Sequence, residues 1–518
     1  MWVVYLVVLF CFLLVRQEYP VYNHRLGGMN CHLSFLRNHK KLHRYKKYAA
    51  VYNILYVGLS QKGEHMYRSI TVQVKPDSEL FEWCDRNAHC ANNLYNAALF
   101  RERQLMFASK KNIHELSNNE LSVMSEVEFA LLDMNKPKSV PPSGVISYTF
   151  LDAVMKYNNN PDYNAEGFPK HCAQNVLKNV LRDINSYFES IKDWKNNPEK
   201  YTGMPKFPRY KRKQGITSFK SSNIECKIHL TKRGNYYCSL PKTKATVQLG
   251  KKIPGKLMEV HVAPKNGIYQ ITLVFDDGKD VPDCSEHEHI IAVDPGIDNL
   301  MAVTNNCGLP CILFNGKPLK SVNHLYNRQI RNIMSENTRD TTDRFVPTPH
   351  YQKVTLNRNN RVKDFLLKSA RILIDWCVEN RIDTIVLGKN VGWKKNTNMG
   401  SVTNQNFVQI PHAQLYKIIM YLAKREGISV IEQEESYTSK ASFLSKDAIP
   451  SYRKENQKYS FSGKRIKRGL YREVDGREIN ADLNGSANIL RKAFPDAFRE
   501  DPDFNNIWVI RHPDIVLA

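Results

Sequence analysis

The stretch IIAVDPGIDNL, residues 290–300, has the form of a strand that stops at an acidic residue. Ile290–Val293 is a short apolar run rich in β-branched residues, and Pro295 and Gly296 then end the strand and turn the chain. Asp294 is thereby predicted at the carboxyl edge of a sheet, where α/β proteins place their chemistry. Taken alone, Asp-Pro-Gly is more often a simple turn, so the interpretation depends on partners elsewhere in the chain.

A second acidic segment, VIEQEESYTSK, begins with a strand predicted at residues 428–431. Glu435 follows that strand and precedes a Tyr-Thr-Ser tripeptide. Glu434 is its neighbour, and Glu432 faces the opposite side if the strand continues, so the sequence leaves the choice among them open. A glutamate at a strand end is usually only solvated, which is the alternative for all three.

The third acidic segment is INADLNGSANIL, in which Asp482 precedes a helix predicted at residues 486–493. An N-cap is expected at this place, so capping is the rival interpretation of Asp482. Two divalent metals that cut a phosphodiester bond need carboxylates that converge from separate segments. Asp294, Glu435 and Asp482 are therefore the candidate catalytic and metal-ligating residues.

Most of the chain resembles the TnpB (OrfB) proteins of insertion sequences and their eukaryotic and viral relatives, the Fanzor proteins. So many matches in the family's order make a chance likeness rare, whereas one short motif would carry little. The matching segments are VDPGIDNLMAV (293–303), FNGKPLKSVNHLYNRQ (314–329), IVLGKNVGWK (385–394), NQNFVQIPHAQL (404–415), EESYTSKASFL (434–444), FSGKRIKRGLY (461–471) and INADLNGSANI (479–489).

The resemblance implies an α/β fold with an RNase H-like RuvC domain, a helical recognition lobe and a small β-barrel wedge domain. Helical apolar spacing at 78–106 and 174–194, and short β segments between 227 and 275, agree with this organisation. The predicted domains are an apolar and basic extension (1–65), the β-rich wedge domain (66–77 and 201–282), the helical recognition domain (78–200), the RuvC-like nuclease domain (283–495) and a C-terminal tail (496–518).

The resemblance also implies a function, that of a transposon-associated RNA-guided DNA endonuclease. A guide RNA from the element's own locus would pair with one strand of a double-stranded DNA target that carries a short adjacent motif. Asp294, Glu435 and Asp482 would hold two Mg²⁺ ions, or Mn²⁺, because oxygen-only ligands fit these ions better than zinc. Two alternatives stay open, a catalytically inactive RNA-guided DNA-binding protein and an RNA-independent, structure-selective nuclease of the same fold.

Two features depart from the family's pattern. Many members carry the catalytic glutamate directly after the strand predicted at 384–387, where this chain has Gly388 and Lys389. Glu435, just before the Tyr-Thr-Ser tripeptide, is interpreted as its replacement, an arrangement that some Fanzor-like members share. Many relatives also carry two CxxC pairs before the last acid, but the last cysteine here is Cys377, so no zinc finger is expected.

Two basic segments are the candidate nucleic-acid contacts. GMPKFPRYKRKQG (203–215) interleaves cations with aromatic rings, which suits phosphate contact and stacking, although a stiff basic loop in solvent is the plainer interpretation. The second segment, 462–468, stands in place of the zinc finger, and its charges are either solvated or in contact with DNA phosphates. The candidate residues are Lys206, Phe207, Arg209, Tyr210, Lys211, Arg212, Lys213, Lys464, Arg465, Lys467 and Arg468.

Composition agrees with a polyanionic partner. Lys and Arg number 75 against 51 Asp and Glu, a formal net charge of +24, although membrane surfaces also attract basic proteins. The 11 cysteines are scattered, which favours a reducing compartment over a disulfide framework. Cys284 with His287 and His289, and Cys307 with Cys311, are incomplete ligand sets, so buried free thiols are the simpler interpretation.

The N-terminal residues 2–15 are almost wholly apolar, which suggests a signal or an anchor. They lack a preceding Lys or Arg and a clear cleavage site, and a membrane span needs about 20 residues. We therefore interpret residues 1–65 as an extension, with a start codon assigned too far upstream as one explanation, and expect no stable membrane association. The expected compartment is the cytoplasm or nucleoid in a prokaryote and the nucleus for a eukaryotic or viral protein, and the apolar N-terminus leaves this open.

Overall fold

In a computed structural model of the chain, the architecture is mixed α/β, as the sequence predicted. Cys284, Arg468 and nearly all of the predicted extension 1–65 lie outside the described residues. Within the part of the chain that the structure describes, no helix is both long and apolar enough to cross a membrane. The described residues are 65–133, 144–282, 287–338, 345–389, 409–451, 459–467, 469–498 and 513–517.

Four helices follow the first described strand: α1 (Glu79–Ala108), α2 (Asn118–Asp133), α3 (Tyr148–Tyr157) and α4 (Lys170–Asn196). The apolar spacing predicted α1 and α4, and α1 begins where Ser78 Oγ accepts from the Phe81 amide at 3.1 Å. The Trp83 ring of α1 meets Phe219 edge-on at a centroid distance of 5.6 Å, and its Nε1 donates to the Pro241 carbonyl at 2.9 Å. The helices therefore share one core with the β-rich segments that follow.

Glu102 is an unusual member of this core, because its carboxylate is fully buried in α1. Its Oε2 accepts from the Ile146 amide at 3.2 Å, while its Oε1 has no hydrogen-bond partner among the described residues. Burial raises the pKa of Glu102 to about 8. The side chain is consequently protonated in the folded protein at neutral pH.

We expect this group to make stability depend on pH. An unfolded glutamate titrates near pH 4.3, so from there to about pH 8 the folded protein binds more protons. The contribution of Glu102 is thus fully present below about pH 4 and is lost as the pH rises through about 8. Glu102→Gln should flatten this dependence and raise the Tm at pH 9 by about 2–5 °C. Thermal unfolding of both proteins from pH 5 to 9 checks this, and parallel profiles would contradict it.

The β-rich segments form two antiparallel sheets. The first runs in the order β1 (His65–Val74), β7 (Ile268–Asp280), β6 (Lys256–Lys265) and β2 (Phe219–Ser222), and the second consists of β3 (Lys227–Leu230), β4 (Tyr236–Ser239) and β5 (Thr246–Gly250). Ile70 of β1 pairs with Leu273 of β7, which joins the first described strand to a segment about two hundred residues downstream. Closure of these strands into one barrel, and the predicted domain boundaries, stay predictions.

A six-stranded sheet organises the remaining part of the chain. Its order is β12 (Ser429–Glu434), β11 (Thr384–Lys389), β8 (Ile290–Pro295), β9 (Asn299–Asn305), β10 (Ile312–Asn315) and β16 (Asp514–Val516). The strands β8, β9 and β10 form an antiparallel meander, whereas β11 joins β8, and β12 joins β11, in parallel. Strand β16, from the predicted tail, pairs with β10 in parallel at the sheet edge.

Helices cover both faces of this sheet, and its central parallel strands, β8 and β11, are buried along most of their length. They are α5 (Lys317–Thr338), α6 (Pro349–Glu379), α7 (His412–Arg425) and α8 (Ala481–Ala493). Side chains alternate along a strand, so Ile291 and Val293 pack with α6 and α7, whereas Ile290 and Ala292 pack with α8. Because β8, β11 and β12 are parallel, their carboxyl ends lie at the same edge of the sheet.

A third antiparallel sheet, β13 (Lys464–Lys467), β14 (Leu470–Arg472) and β15 (Glu478–Asn480), contains the predicted basic hairpin. Just after β14, the buried carboxylate of Glu473 accepts from the hydroxyls of Ser442 and, at 3.2 Å, Ser445. Tyr471 Oη donates to the Lys440 carbonyl at 2.8 Å. Hydrogen bonds thus hold this sheet to the segment after the Tyr-Thr-Ser tripeptide. The sheet lies in the stretch of sequence where many relatives carry two CxxC pairs.

Candidate active site

Asp294 lies near the end of β8 with its carboxylate directed at α8. Gly485 on that helix leaves room for it, since a Cβ there would stand 2.5 Å from Asp294 Oδ2. Ser486 fixes the helix to the strand by donating to the Ala292 carbonyl at 2.9 Å. Burial, together with the nearby carboxylates of Glu435 and Asp482, raises the pKa of Asp294 well above its usual range. The three predicted acids are therefore electrostatic neighbours in the folded chain.

Glu435 follows β12 and is only 9% exposed. Its Oε1 lies against Gly388 at the end of β11, so close that a Cβ on residue 388 would overlap it. Burial, and to a lesser degree the neighbouring Glu434, raises the pKa of Glu435 to about 7. The glutamate thus occupies the space beside the strand end where many relatives carry their own acid.

The two alternative glutamates are engaged elsewhere. Glu434 accepts from Lys492 Nζ at 2.5 Å and from the Ser436 amide at 2.8 Å. Glu432 forms an ion pair with Lys389 on the neighbouring strand. Of the three, only Glu435 contributes to the raised pKa of Asp294.

Asp482 lies in the first turn of α8, but it is not the N-cap. Asn480 takes that role, because its Oδ1 accepts from the amides of Asp482 at 2.9 Å and Leu483 at 3.2 Å. The Asp482 carboxylate accepts instead from Asn299 Nδ2 at 2.8 Å and from Arg465 Nη2 at 3.1 Å. Arg465, predicted as a phosphate contact, thus forms an ion pair with a candidate catalytic residue.

Two side chains of α7 hold the backbone just after Asp294 and the strand end beside Glu435, and the sequence analysis gave them no role. His412, 2% exposed, donates from Nε2 to the Gly296 carbonyl at 3.0 Å, just after Asp294. Tyr416 donates from Oη to the Gly388 carbonyl. Their spacing of four residues, which places both on one side of a helix, was the available signal.

Two buried asparagines of α8 clamp the segment that follows Glu435, and they were missed as well. Asn484 donates to the Ala441 carbonyl at 2.9 Å and accepts from the Phe443 amide at 3.0 Å. Asn488 donates to the Thr438 carbonyl at 2.9 Å. Their positions four residues apart in INADLNGSANIL hinted at one shared helix face, but their partners lie about forty residues away.

The donor set of the acidic cluster fits a divalent cation in its chemistry. Asp294, Glu435 and Asp482 offer only oxygen ligands, and mutual repulsion favours a cation among them. As positioned, however, no group of three or more His, Cys, Asp or Glu side chains in the described ranges is arranged to hold a metal ion. Asp482 in particular is held by Asn299 and Arg465.

The cysteine and histidine candidates have ordinary surroundings. Cys307 and Cys311 are free thiols, and burial raises their pKa to about 11 and about 12 respectively. His287 Nδ1 is hydrogen-bonded to Thr384 Oγ1 at 2.8 Å, and His289 Nδ1 donates to the Arg381 carbonyl at 3.2 Å. Cys311 is buried, Cys307 is partly buried, and both histidines make hydrogen bonds within the fold.

The basic segment 203–215 is pinned to α1, which turns part of it inward. Lys211 exchanges two backbone hydrogen bonds with the Asn96 side chain, at 2.8 and 3.1 Å. Its ammonium lies 4.1 Å from the Tyr95 ring centroid and donates to Thr217 Oγ1 at 2.6 Å. Burial lowers the pKa of Lys211. Its contacts give this lysine a structural role, and its contact with nucleic acid stays a prediction.

The aromatic residues of this segment also differ from each other. Phe207 is half-buried and packs edge-on against Tyr187 at a centroid distance of 5.2 Å. Tyr210 is 42% exposed, and Arg103 lies 4.7 Å from its ring centroid. The predicted contacts of this segment that remain exposed are Lys206, Arg209, Tyr210, Arg212 and Lys213.

The fold and the site together define a mixed α/β protein with an acidic cluster at one sheet edge and basic segments outside it. Residues 275–394 match the family OrfB_IS605, described as a probable transposase, and residues 412–489 match the Cas12f1-like TNB domain. Both matches agree with the TnpB (OrfB) resemblance of the motifs.

Several solved structures are similar to the chain at low identity. A Cas12f1–sgRNA–target DNA complex is 13% identical with a TM-score of 0.42, covering 80% of this chain and 82% of that one. The mini RNA-guided endonuclease CRISPR-Cas_phi3 is 10% identical with a TM-score of 0.38, covering 84% and 93%. Alicyclobacillus acidoterrestris C2c1 with single-guide RNA is 9% identical with a TM-score of 0.33, covering 78% and 69%. No curated protein matches the chain.

Proposed function

We propose that this chain is an RNA-guided DNA endonuclease. Its active site, which hydrolyses phosphodiester bonds, would consist of Asp294, Glu435 and Asp482. The observation that carries the proposal is the convergence of these acids from the ends of β8 and β12 and the first turn of α8. The sheet supports it, since a three-stranded meander with two parallel strands added beside its first strand is the arrangement expected of an RNase H-like domain.

The acidic cluster would hold divalent cations, Mg²⁺ or Mn²⁺, through carboxylate oxygens. When bound, two such ions would supply an activated water and stabilise the leaving oxygen. The chain's own residues orient the carboxylates. Gly485 and Gly388 leave room for Asp294 and Glu435, and His412 fixes the turn after Asp294.

Basic surfaces outside the cluster would bind the nucleic acids. The exposed members of 203–215 combine cations with the ring of Tyr210, which suits contact with phosphates and stacking on a base. Arg465 lies beside the cluster, on the hairpin that follows the Tyr-Thr-Ser segment, where a strand to be cut would pass. The guide would come from the element's own locus and pair with one strand of a DNA target beside a short motif.

The test is cleavage of a plasmid library with randomised sequence beside a fixed target, by protein purified together with RNA from its own locus. We expect cuts that require both Mg²⁺ and a guide complementary to the target, with enrichment of a short adjacent motif. Guided binding without cuts would overturn the nuclease assignment and leave a DNA-binding protein. Cuts that persist after the RNA is removed would show a structure-selective nuclease instead.

A further inference from the structure

The sheet formed by β3, β4 and β5 has one side in the core and one side toward solvent. Cys238 and Val247 pair across β4 and β5, and both are fully buried. Because successive side chains alternate between the two faces, His229, Tyr237 and Gln248 stand in register on the other face. These three side chains form a row across all three strands.

The outer row contains an ordered pair of flat rings. The rings of His229 and Tyr237 are stacked, with centroids 5.0 Å apart and planes at 19°. His229 Nε2 is hydrogen-bonded to Ser239 Oγ at 3.0 Å, which fixes the orientation of the imidazole. Gln248, at the end of the row, is exposed and presents amide groups. Flat rings on a sheet surface beside hydrogen-bonding side chains are the surface on which unpaired bases stack.

The stretch of sequence that forms this sheet is basic. Between Cys226 and Lys256 the sequence contains no Asp or Glu. Among the described residues, Lys227, Lys232, Arg233 and Lys251 form no ion pair, in contrast to many lysines elsewhere in the structure. Cations without counter-charges raise the local potential and attract a polyanion. The basic residues of the stretch are Lys227, Lys232, Arg233, Lys242, Lys244, Lys251, Lys252 and Lys256.

We propose that this outer face, defined by Lys227, His229, Tyr237 and Gln248, is a binding site for a single-stranded segment of RNA. A base stacks on the His229–Tyr237 pair, while Lys227 and the basic β3–β4 turn contact the flanking phosphates. The inference deepens the proposed function, because it assigns part of the guide RNA to a surface separate from both basic segments. An acidic peptide would satisfy the charge but would not use the stacked rings.

The test measures binding of a fluorescein-labelled oligouridine to the full-length protein in EDTA, so that no cleavage intervenes. We expect the double variant His229→Ala, Tyr237→Ala to bind about 5- to 100-fold more weakly, the range for loss of one stacked base. Lys232→Gln with Arg233→Gln should lower the slope of log affinity against log salt by about 1 to 2. An oligonucleotide with 4-thiouridine should crosslink to the peptide that contains Tyr237.

Matched controls separate stacking from general damage. Tyr157 is 48% exposed and stacked on Phe129 at 5.9 Å, but Phe129 adjoins the exposed acid Glu128 on its helix. Tyr157→Ala should leave binding unchanged, and Tyr237→Phe, which keeps the ring, should retain it. Circular dichroism confirms that each variant is folded.

Two outcomes would overturn the inference. The first is an RNA affinity of the His229, Tyr237 double variant equal to that of the wild type. If the wild-type protein still shows guided cleavage, the proposed function is unaffected by this result. The second is a double variant that binds single-stranded DNA more weakly but binds RNA as the wild type does. That result would assign the surface to the DNA target and not to RNA. Failure of the wild-type protein to bind RNA at all would count against the proposed function as well.

Discussion

Asp294→Asn is expected to abolish DNA cleavage while the protein stays folded and binds nucleic acid. Loss of an outer partner of a metal ligand alone lowers metal affinity or activity about 10- to 100-fold, so loss of a ligand should exceed about 100-fold. The neutral amide should be tolerated in the fold, because burial and the carboxylates of Glu435 and Asp482 already disfavour the charged form of Asp294. Single-turnover cleavage of a pre-bound target measures the effect.

Asp298 provides a matched control four residues along the same segment. Its carboxylate forms an ion pair with Lys320, outside the acidic cluster. Asp298→Asn should therefore change the cleavage rate by less than about tenfold, since an ion pair of this exposure contributes little. Asp482→Asn should behave like Asp294→Asn. Undiminished cleavage by Asp294→Asn or by Asp482→Asn would contradict the proposed active site.

Glu435→Gln is expected to abolish cleavage, again by more than about 100-fold, whereas Glu434→Gln should keep most of the activity. The geometry gives the reason, since Glu435 adjoins Gly388 and the pKa of Asp294 responds to it. Glu434 instead pairs with Lys492 at 2.5 Å. Guided cleavage is compared at equal folded concentration, and loss of activity in Glu434→Gln alone would show that the assignment is off by one residue.

The space shared by Glu435 and residue 388 allows a sharper test of the relocated glutamate. Gly388→Glu by itself should impair the protein, because its Cβ overlaps the Glu435 carboxylate and stands 2.6 Å from Ile489 Cδ1. Gly388→Glu combined with Glu435→Gly restores one carboxylate at the same place and should recover part of the cleavage. A double variant as inactive as Glu435→Gln, although folded, would contradict an interchange between the two strand ends.

The helices show where sequence patterns succeeded and where they failed. Helices α1 and α4 have regular apolar positions, which predicted them within a few residues of their observed ends. Helices α2 and α3 were not predicted, because α2 is short and rich in acidic and polar residues and α3 has only ten residues. Their stability comes from packing in the shared core, which periodicity does not report.

The acidic motifs and the sheet strands were readable because they are local. A buried strand needs a continuous apolar run, and the run at Ile290–Val293 ends in residues that turn the chain, so the sequence alone determined the strand and the place of Asp294 at its end. Motif order in the same way predicted the likeness to OrfB proteins, and residues 275–394 match that family.

The partners of each polar side chain became known from the three-dimensional fold. Glu434 and Glu435 are adjacent in sequence, but Lys492 and Gly388, which distinguish them, come from other elements. Likewise, Asn480 and not Asp482 caps helix α8. The ammonium of Lys211 lies over the Tyr95 ring. The physical reason is that hydrogen bonds, ion pairs and close packing act between atoms a few ångströms apart, whatever the distance along the chain, and no local pattern contains those partners.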